Sequence, residues 1–157
     1  MNKTPLARLV CIIAAGSLAA CATTSTRPPN PQVVAKMHAV DQARMATVII
    51  YRPSASLGAF LRPTVLLNGK DLVNVGNGKV FVGAVRPGHY TIEMDDKKSG
   101  TAVTLKSGQK AYLRVDIVPG FWKGGGKLTE VAPTQGEFEA TRLDMIEPGE
   151  IEDANYR

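Results

Sequence analysis

The sequence predicts a mainly all-β fold: an antiparallel β-sandwich of about seven strands, with a short N-terminal helix and a short C-terminal helix. Three observations carry this. Runs of five to seven residues rich in Val, Ile, Leu, Thr and Tyr recur from Ala46 onward. Asn-Gly, Pro-Gly and Ser-Gly pairs separate them. Apolar and polar residues alternate along several of the runs, so that one face of each sheet is expected to be wet.

The first 20 residues lie outside that pattern. Lys3 and Arg8 flank the start of Leu9–Ala20, a stretch of twelve residues whose only polar member is Ser17. It is too short to cross a bilayer and ends in small residues, which is the form of a secretory leader. Its last residues, Leu18-Ala19-Ala20, with Cys21 resemble the lipobox of bacterial lipoproteins. The resemblance implies cleavage between Ala20 and Cys21, a diacylglycerol on the Cys21 thiol and an acyl chain on the new amine; no other cofactor is expected. Several acyl chains hold a membrane far more firmly than one. Ala22 stands where an inner-membrane retention signal would have Asp, so an outer-membrane protein facing the periplasm is expected.

Residues 21–31 are polar and proline-rich, and are expected to form the extended, lipidated tether. Residues 32–45 contain helix formers with Val33, Met37 and Val40 on one face, which predicts a short amphipathic helix. The sandwich domain is expected over residues 46–144. Ala46–Arg52 is β-branched and stops at Pro53. Pro63–Leu67 runs into Asn68-Gly69, a hairpin signal because both central residues of a type I′ turn need positive φ. Asp71–Val75, a second Asn-Gly at 77–78, and Lys79–Val85 follow. Pro87-Gly88 fits the centre of a type II turn. Tyr90, Ile92 and Met94 share one face of the next run, and Thr101, Val103 and Leu105 one face of the run after it. In the longest run Ala111, Leu113, Val115 and Ile117 face one way, while Tyr112, Arg114 and Asp116 face the other. Pro119–Gly126 is a glycine-rich loop, and Lys127–Ala132 can add a last strand. Thr134 and Glu137 have the spacing of a capping box, which predicts a helix to about Leu143. Residues 145–157 are acidic, contain Pro148-Gly149, and are expected to be disordered.

Residues 21–157 suffice for one domain with its own core. Cys21 is the sole cysteine of that stretch, so no disulfide can close within it. Residues 21–136 carry 15 basic and seven acidic residues, and residues from Glu137 onward two basic and seven acidic. A basic body suits anionic envelope polymers or lipid headgroups, although an ordinary mixed surface is the simpler account. Nucleic acid is not an expected partner of an exported chain.

No catalytic pattern stands out. His38 and His89 are 51 residues apart, and no convergent metal-ligand set is visible, so no metal is expected. Asp95-Asp96 is followed at once by Lys97 and Lys98, which suits a solvated turn better than a calcium loop. Gly124-Gly125-Gly126-Lys127 lacks the Walker pattern, with Phe121 and Leu128 at the decisive positions. No Gly-x-Ser-x-Gly elbow occurs, and the expectation is a protein that is not an enzyme.

The ordered elements together resemble a bacterial lipoprotein family, that of the domain of unknown function 2846. The resemblance rests on Tyr51-Arg52-Pro53 closing the first strand, Gly58, the hairpin Leu67-Asn68-Gly69-Lys70, Val80-Phe81-Val82, Pro87-Gly88-His89-Tyr90-Thr91-Ile92, and the long strand Lys110–Ile117. It implies an envelope lipoprotein with an all-β domain. The hairpin and Pro-Gly pattern is also similar to PEGA and transthyretin-like or immunoglobulin-like modules, which bind or scaffold rather than catalyse.

Two pairs are candidate binding or structural residues. Tyr51 and Arg52 could present an exposed guanidinium beside aromatic surface, suited to a carboxylate, phosphate or sugar. Alternatively, Arg52 hydrogen-bonds carbonyls of the loop 54–61 and holds it on the sheet edge; this second reading is preferred. Phe121 and Trp122 either dock a partner, glycan or membrane, or fold back as a lid over one end of the sandwich. The expected function is a non-catalytic, lipid-anchored binding or scaffolding module with an envelope polymer or envelope protein as partner. The alternative is a structural subunit of an envelope machine similar to the type VI secretion lipoprotein, and after it a hydrolase.

Overall fold

The structure is a computed structural model and describes residues 27–118 and 126–156. Within them the chain forms α1 (Pro31–His38), β1 (Ala46–Arg52), β2 (Thr64–Leu67), β3 (Lys70–Asn74), β4 (Lys79–Val85), β5 (Gly88–Met94), β6 (Gly100–Leu105), β7 (Lys110–Ile117), β8 (Gly126–Val131), α2 (Pro133–Ala140) and β9 (Asp144–Met145). A five-stranded sheet has the order β8-β7-β1-β4-β9, and a four-stranded sheet the order β3-β2-β5-β6. The described residues thus hold nine strands rather than about seven. The two-residue β9 is too short to carry a readable period.

The first sheet is not purely antiparallel. β1 pairs β7 in parallel, with Tyr51 opposite Arg114, and β4 pairs β9 in parallel. The long excursion through the four-stranded sheet provides the crossover that parallel pairing needs. Local turn signals cannot reveal a pairing between runs that far apart in the chain.

β1 is buried along its whole length. Val48 and Ile50 enter a core shared with Val65, Ile92 and Met94 of the four-stranded sheet. Ile49 and Tyr51 enter a second cluster with Val33 and Met37 of α1, Tyr112 of β7 and Ala140 of α2. The five-stranded sheet is therefore covered on both faces, by a sheet and by helices, and the expectation of a wet face fails for it. Each such aliphatic side chain contributes roughly 1.5–3 kcal/mol by leaving water.

α1 is shorter than expected. Asn30 caps it by accepting from the Gln32 N–H at 3.0 Å, and Pro31 opens its first turn. It ends at His38 because Asp41 makes its own turn, its carboxylate accepting from the Ala43 N–H at 3.1 Å. α2 has no capping box at Thr134 and Glu137. Its N-cap is Ala132, and Pro133 supplies the first turn with no N–H to satisfy. It stops at Ala140 rather than Leu143, whose carbonyl accepts from Asn30 Nδ2 at 3.0 Å.

Asn68 and Gly69 both have positive φ, 51° and 76°, as a type I′ turn requires. At the second Asn-Gly only Gly78 does, and the Asn77 side chain accepts from the Ala55 N–H at 2.9 Å. Gly88 is held in β5 opposite Leu105 and lacks positive φ, so the expected type II turn is not formed.

The C-terminal segment is ordered, not frayed. The Ile146 N–H donates to the Val80 carbonyl at 3.0 Å, and the Glu152 N–H to that of Leu72 at 2.9 Å. Ile151 bridges Val73, and Tyr156 meets Phe81 edge-on with ring centroids 6.0 Å apart. The acidic residues that suggested disorder are engaged: Glu150 pairs with Arg62, and Glu152 accepts from Asn74 at 2.6 Å. The folded body therefore extends from α1 through Tyr156, beyond the expected limits 46–144.

Candidate functional site

One end of the molecule gathers its polar chemistry, and strand direction is the reason. β1 ends where antiparallel β4 begins and where parallel β7 ends, which puts Arg52 opposite Lys79, Tyr51 opposite Arg114 and Lys79 opposite Asp144. The chain enters at this same end. Arg27 Nη2 donates to Asp144 Oδ1 at 2.5 Å, and the Asn30 N–H donates to the Thr141 carbonyl at 2.6 Å. The Arg27 guanidinium holds the Asp144 carboxyl below the usual carboxylate range.

Arg52 is 2 % exposed. Its Nη1 donates to the Leu61 carbonyl at 2.6 Å and its Nη2 to the Gly58 carbonyl at 2.7 Å. Two neutral carbonyls thus take the guanidinium fork, and burial pushes its pKa down. Among the described residues no carboxylate pairs with it. The loop it holds lies at the end of the central strand, not at a sheet edge. Gly58 is required there: its φ is +66°, and a Cβ would come within 2.8 Å of Ile117 Cγ2.

Tyr51 is fully buried and forms no exposed aromatic surface. Its hydroxyl donates to Glu139 Oε2 at 2.8 Å. Arg114 Nη1 lies 3.3 Å from both Glu139 oxygens, and Gln135 Nε2 donates to Oε1 at 3.0 Å. Arg114 Nε also donates to Asp116 Oδ1 at 3.0 Å. Burial first, then the bond to Glu139, drives the Tyr51 pKa far above the ordinary phenol value. Burial opposes the charge on Arg114, but the bond to Asp116 and the charges of Asp116 and Glu139 outweigh it, and its pKa is raised.

Above this network lies a groove of about 450 Å³, lined among others by Arg27, Pro53, Ser54, Arg114, Glu139 and Arg142. The Arg142 guanidinium stacks 3.8 Å over the Phe138 ring, and its Nη1 donates to the Phe138 carbonyl at 2.7 Å. Its Nε is buried with no hydrogen-bond partner among the described residues. An adjoining recess of about 180 Å³ shares Pro53, Ser54 and Arg114. Arg27 and Arg114 are already paired with carboxylates, so Arg142 is the groove guanidinium that suits an added carboxylate or phosphate. A separate recess of about 290 Å³, between α1 and the C-terminal segment, contains Lys36, Asp41 and Tyr156 but no arginine.

The two histidines belong to different layers. His38 ends α1, while His89 on β5 places its Nδ1 2.8 Å from Thr104 Oγ1. Among the described residues no group of three or more His, Cys, Asp or Glu side chains converges. Ala20, Cys21, Phe121 and Trp122 lie outside the described residues. No local motif marks the groove residues Arg27, Glu139 and Arg142. Gly136 and Ala140, both buried and four apart on α2, were the available signal for a helix seated closely on the sheet face that carries Arg114.

A family described as "Protein of unknown function (DUF2846)" matches residues 42–126. No curated protein and no solved structure matches the chain.

Proposed function

The chain belongs to the family of the domain of unknown function 2846, which matches more than half of it, and from that premise we propose a non-catalytic binding or scaffolding module, tethered to the periplasmic face of the outer membrane by acyl chains on Cys21. The observation that carries the reading is Leu18-Ala19-Ala20-Cys21 at the end of a short apolar leader. The two-sheet body suits a transthyretin-like sandwich, an architecture that supports recognition on loops at its ends. The arginine-lined groove supports an anionic ligand. A structural role for the network draws support from Glu139, whose oxygens accept from Tyr51, Arg114 and Gln135 and so join β1, β7 and α2.

Intact-mass analysis of the protein from its native host tests the anchor. The expected species begins at Cys21 and carries a diacylglyceryl group and an N-acyl chain. An uncleaved, unmodified N-terminus overturns it. Co-sedimentation with purified envelope polymer supports a ligand module, whereas a stable multiprotein complex on crosslinking identifies a structural subunit of an envelope machine.

A further inference from the structure

The groove end carries a second feature. Leu57 is 57 % exposed and Phe60 99 % exposed, both in the loop that follows β1. This loop is pinned from below by Arg52 through the Gly58 and Leu61 carbonyls. A phenylalanine wholly in water on a clamped backbone is a preformed apolar probe rather than a residue on a floppy tip. Cationic groups lie at the same end of the fold. Arg62 and Arg27 are more than half exposed, though each has a carboxylate partner, Glu150 and Asp144. Arg142 faces the groove with no carboxylate partner among the described residues. Apolar side chains beside arginines fit one surface in particular, a bilayer interface bearing anionic headgroups.

The path of the chain points to the same surface. Arg27 is fixed at this end by Asp144, and Cys21 precedes it by six residues. Even fully extended, six residues reach only about 20 Å. With Cys21 acylated, the tether keeps this end, and not the opposite one, next to the headgroups at high effective concentration.

We propose that this end of the domain docks on the membrane that anchors it, with Phe60 and Leu57 entering the interfacial layer and the arginine-lined groove receiving the phosphate of an anionic headgroup. The proposal rests on the acylated-Cys21 reading.

The test uses the full-length protein purified from its host and reconstituted into phosphatidylethanolamine–phosphatidylglycerol vesicles with brominated acyl chains. Phe60→Trp is read in a Trp122→Phe background, against Ser107→Trp in the same background, because Ser107 lies in the turn at the far end of the sheet, between β6 and β7. Leu57→Trp is a second, independent reporter. Docking predicts that the indole at position 60 is quenched roughly threefold more than the one at position 107, with blue-shifted emission. Replacing phosphatidylglycerol with phosphatidylcholine, or making Arg142→Gln, should reduce that quenching. Intact mass on the same samples separates the two readings. Acylated protein whose indoles at positions 60 and 57 are quenched no more than the one at position 107 overturns docking and leaves the anchor standing. Unmodified protein that is still quenched at position 60 keeps docking and removes the anchor; unmodified and unquenched protein removes both. Quenching indifferent to phosphatidylglycerol and to Arg142 overturns the headgroup assignment.

Discussion

The Tyr51 hydroxyl donates to Glu139 Oε2 at 2.8 Å, tying the central strand of the five-stranded sheet to α2. Because the acceptor is a carboxylate, Tyr51→Phe should destabilise the protein by about 1.5–3 kcal/mol. Urea unfolding of Tyr51→Phe, Glu139→Gln and the double mutant measures the coupling. Additive single effects would mean that the bond holds nothing together.

Arg52 is the second fastener. A lysine there can satisfy one carbonyl at a time, whereas the guanidinium satisfies Leu61 and Gly58 together. Arg52→Lys should lose about 2 kcal/mol, or roughly 5–10 °C in Tm, on a domain of this size. Proteolysis should then cut within residues 54–61 first. An unchanged melting temperature argues against a clamp.

Gly136 reverses the usual helix rule. Alanine in a helix interior ordinarily gains up to about 1 kcal/mol over glycine. Here the new Cβ would lie 2.3 Å from Tyr112 Cβ and 2.4 Å from its Cγ, so α2 must move off the sheet. Gly136→Ala should therefore destabilise by about 1–3 kcal/mol. A stabilised variant in thermal melts would refute the close approach.

Alkaline pH should weaken the fold through three phenols, those of Tyr51, Tyr112 and Tyr156, each raised by burial. Burial, with a smaller effect of Glu137, pushes Tyr112 up to about 12, and Tyr51 is held higher still. Above the ordinary phenol pKa the unfolded chain releases these protons while the folded chain keeps them. The unfolded state then binds fewer protons, and stability falls as pH rises. The loss begins near pH 10 and has a slope of at most about 1.4 kcal/mol per pH unit for each phenol. For Tyr112 it levels off once pH passes its folded value. Tyr112→Phe, followed by urea titration between pH 9 and 12, should flatten one component of the slope.

Much of the strand order was legible because its signals are local. Ala46–Arg52 and Lys79–Val85 have the expected bounds, since Pro53 and Gly78 punctuate them sharply. The parallel partnership of β1 with β7 was not legible, because no turn joins them. Without it, Arg114 reads as a solvent-facing residue, although it lies beneath Glu139 of a helix some 25 residues later. The hydrogen bonds of Arg52 run to loop carbonyls within nine residues of it, a local relationship that the Pro53 break and Gly58 already suggest. Those of Tyr51 and Arg27 cross 88 and 117 residues, and no motif encodes them.

The C-terminal segment gives the remaining test of how this body closes. Charge density alone marks residues 145–157 as disordered, yet Ile146, Ile151 and Tyr156 fall on the side that meets β3 and β4. Ile151 is buried beside Val73, so Ile151→Ala should remove about 2–3 kcal/mol, near the low end for a buried isoleucine because the site lies at the rim. Hydrogen exchange reports the same closure residue by residue. The Ile146 N–H, bonded to the Val80 carbonyl, and the Glu152 N–H, bonded to that of Leu72, should be protected in the wild type and should exchange faster in the variant. If both amides exchange at random-coil rates in the wild type, the segment does not close the two sheets at this edge.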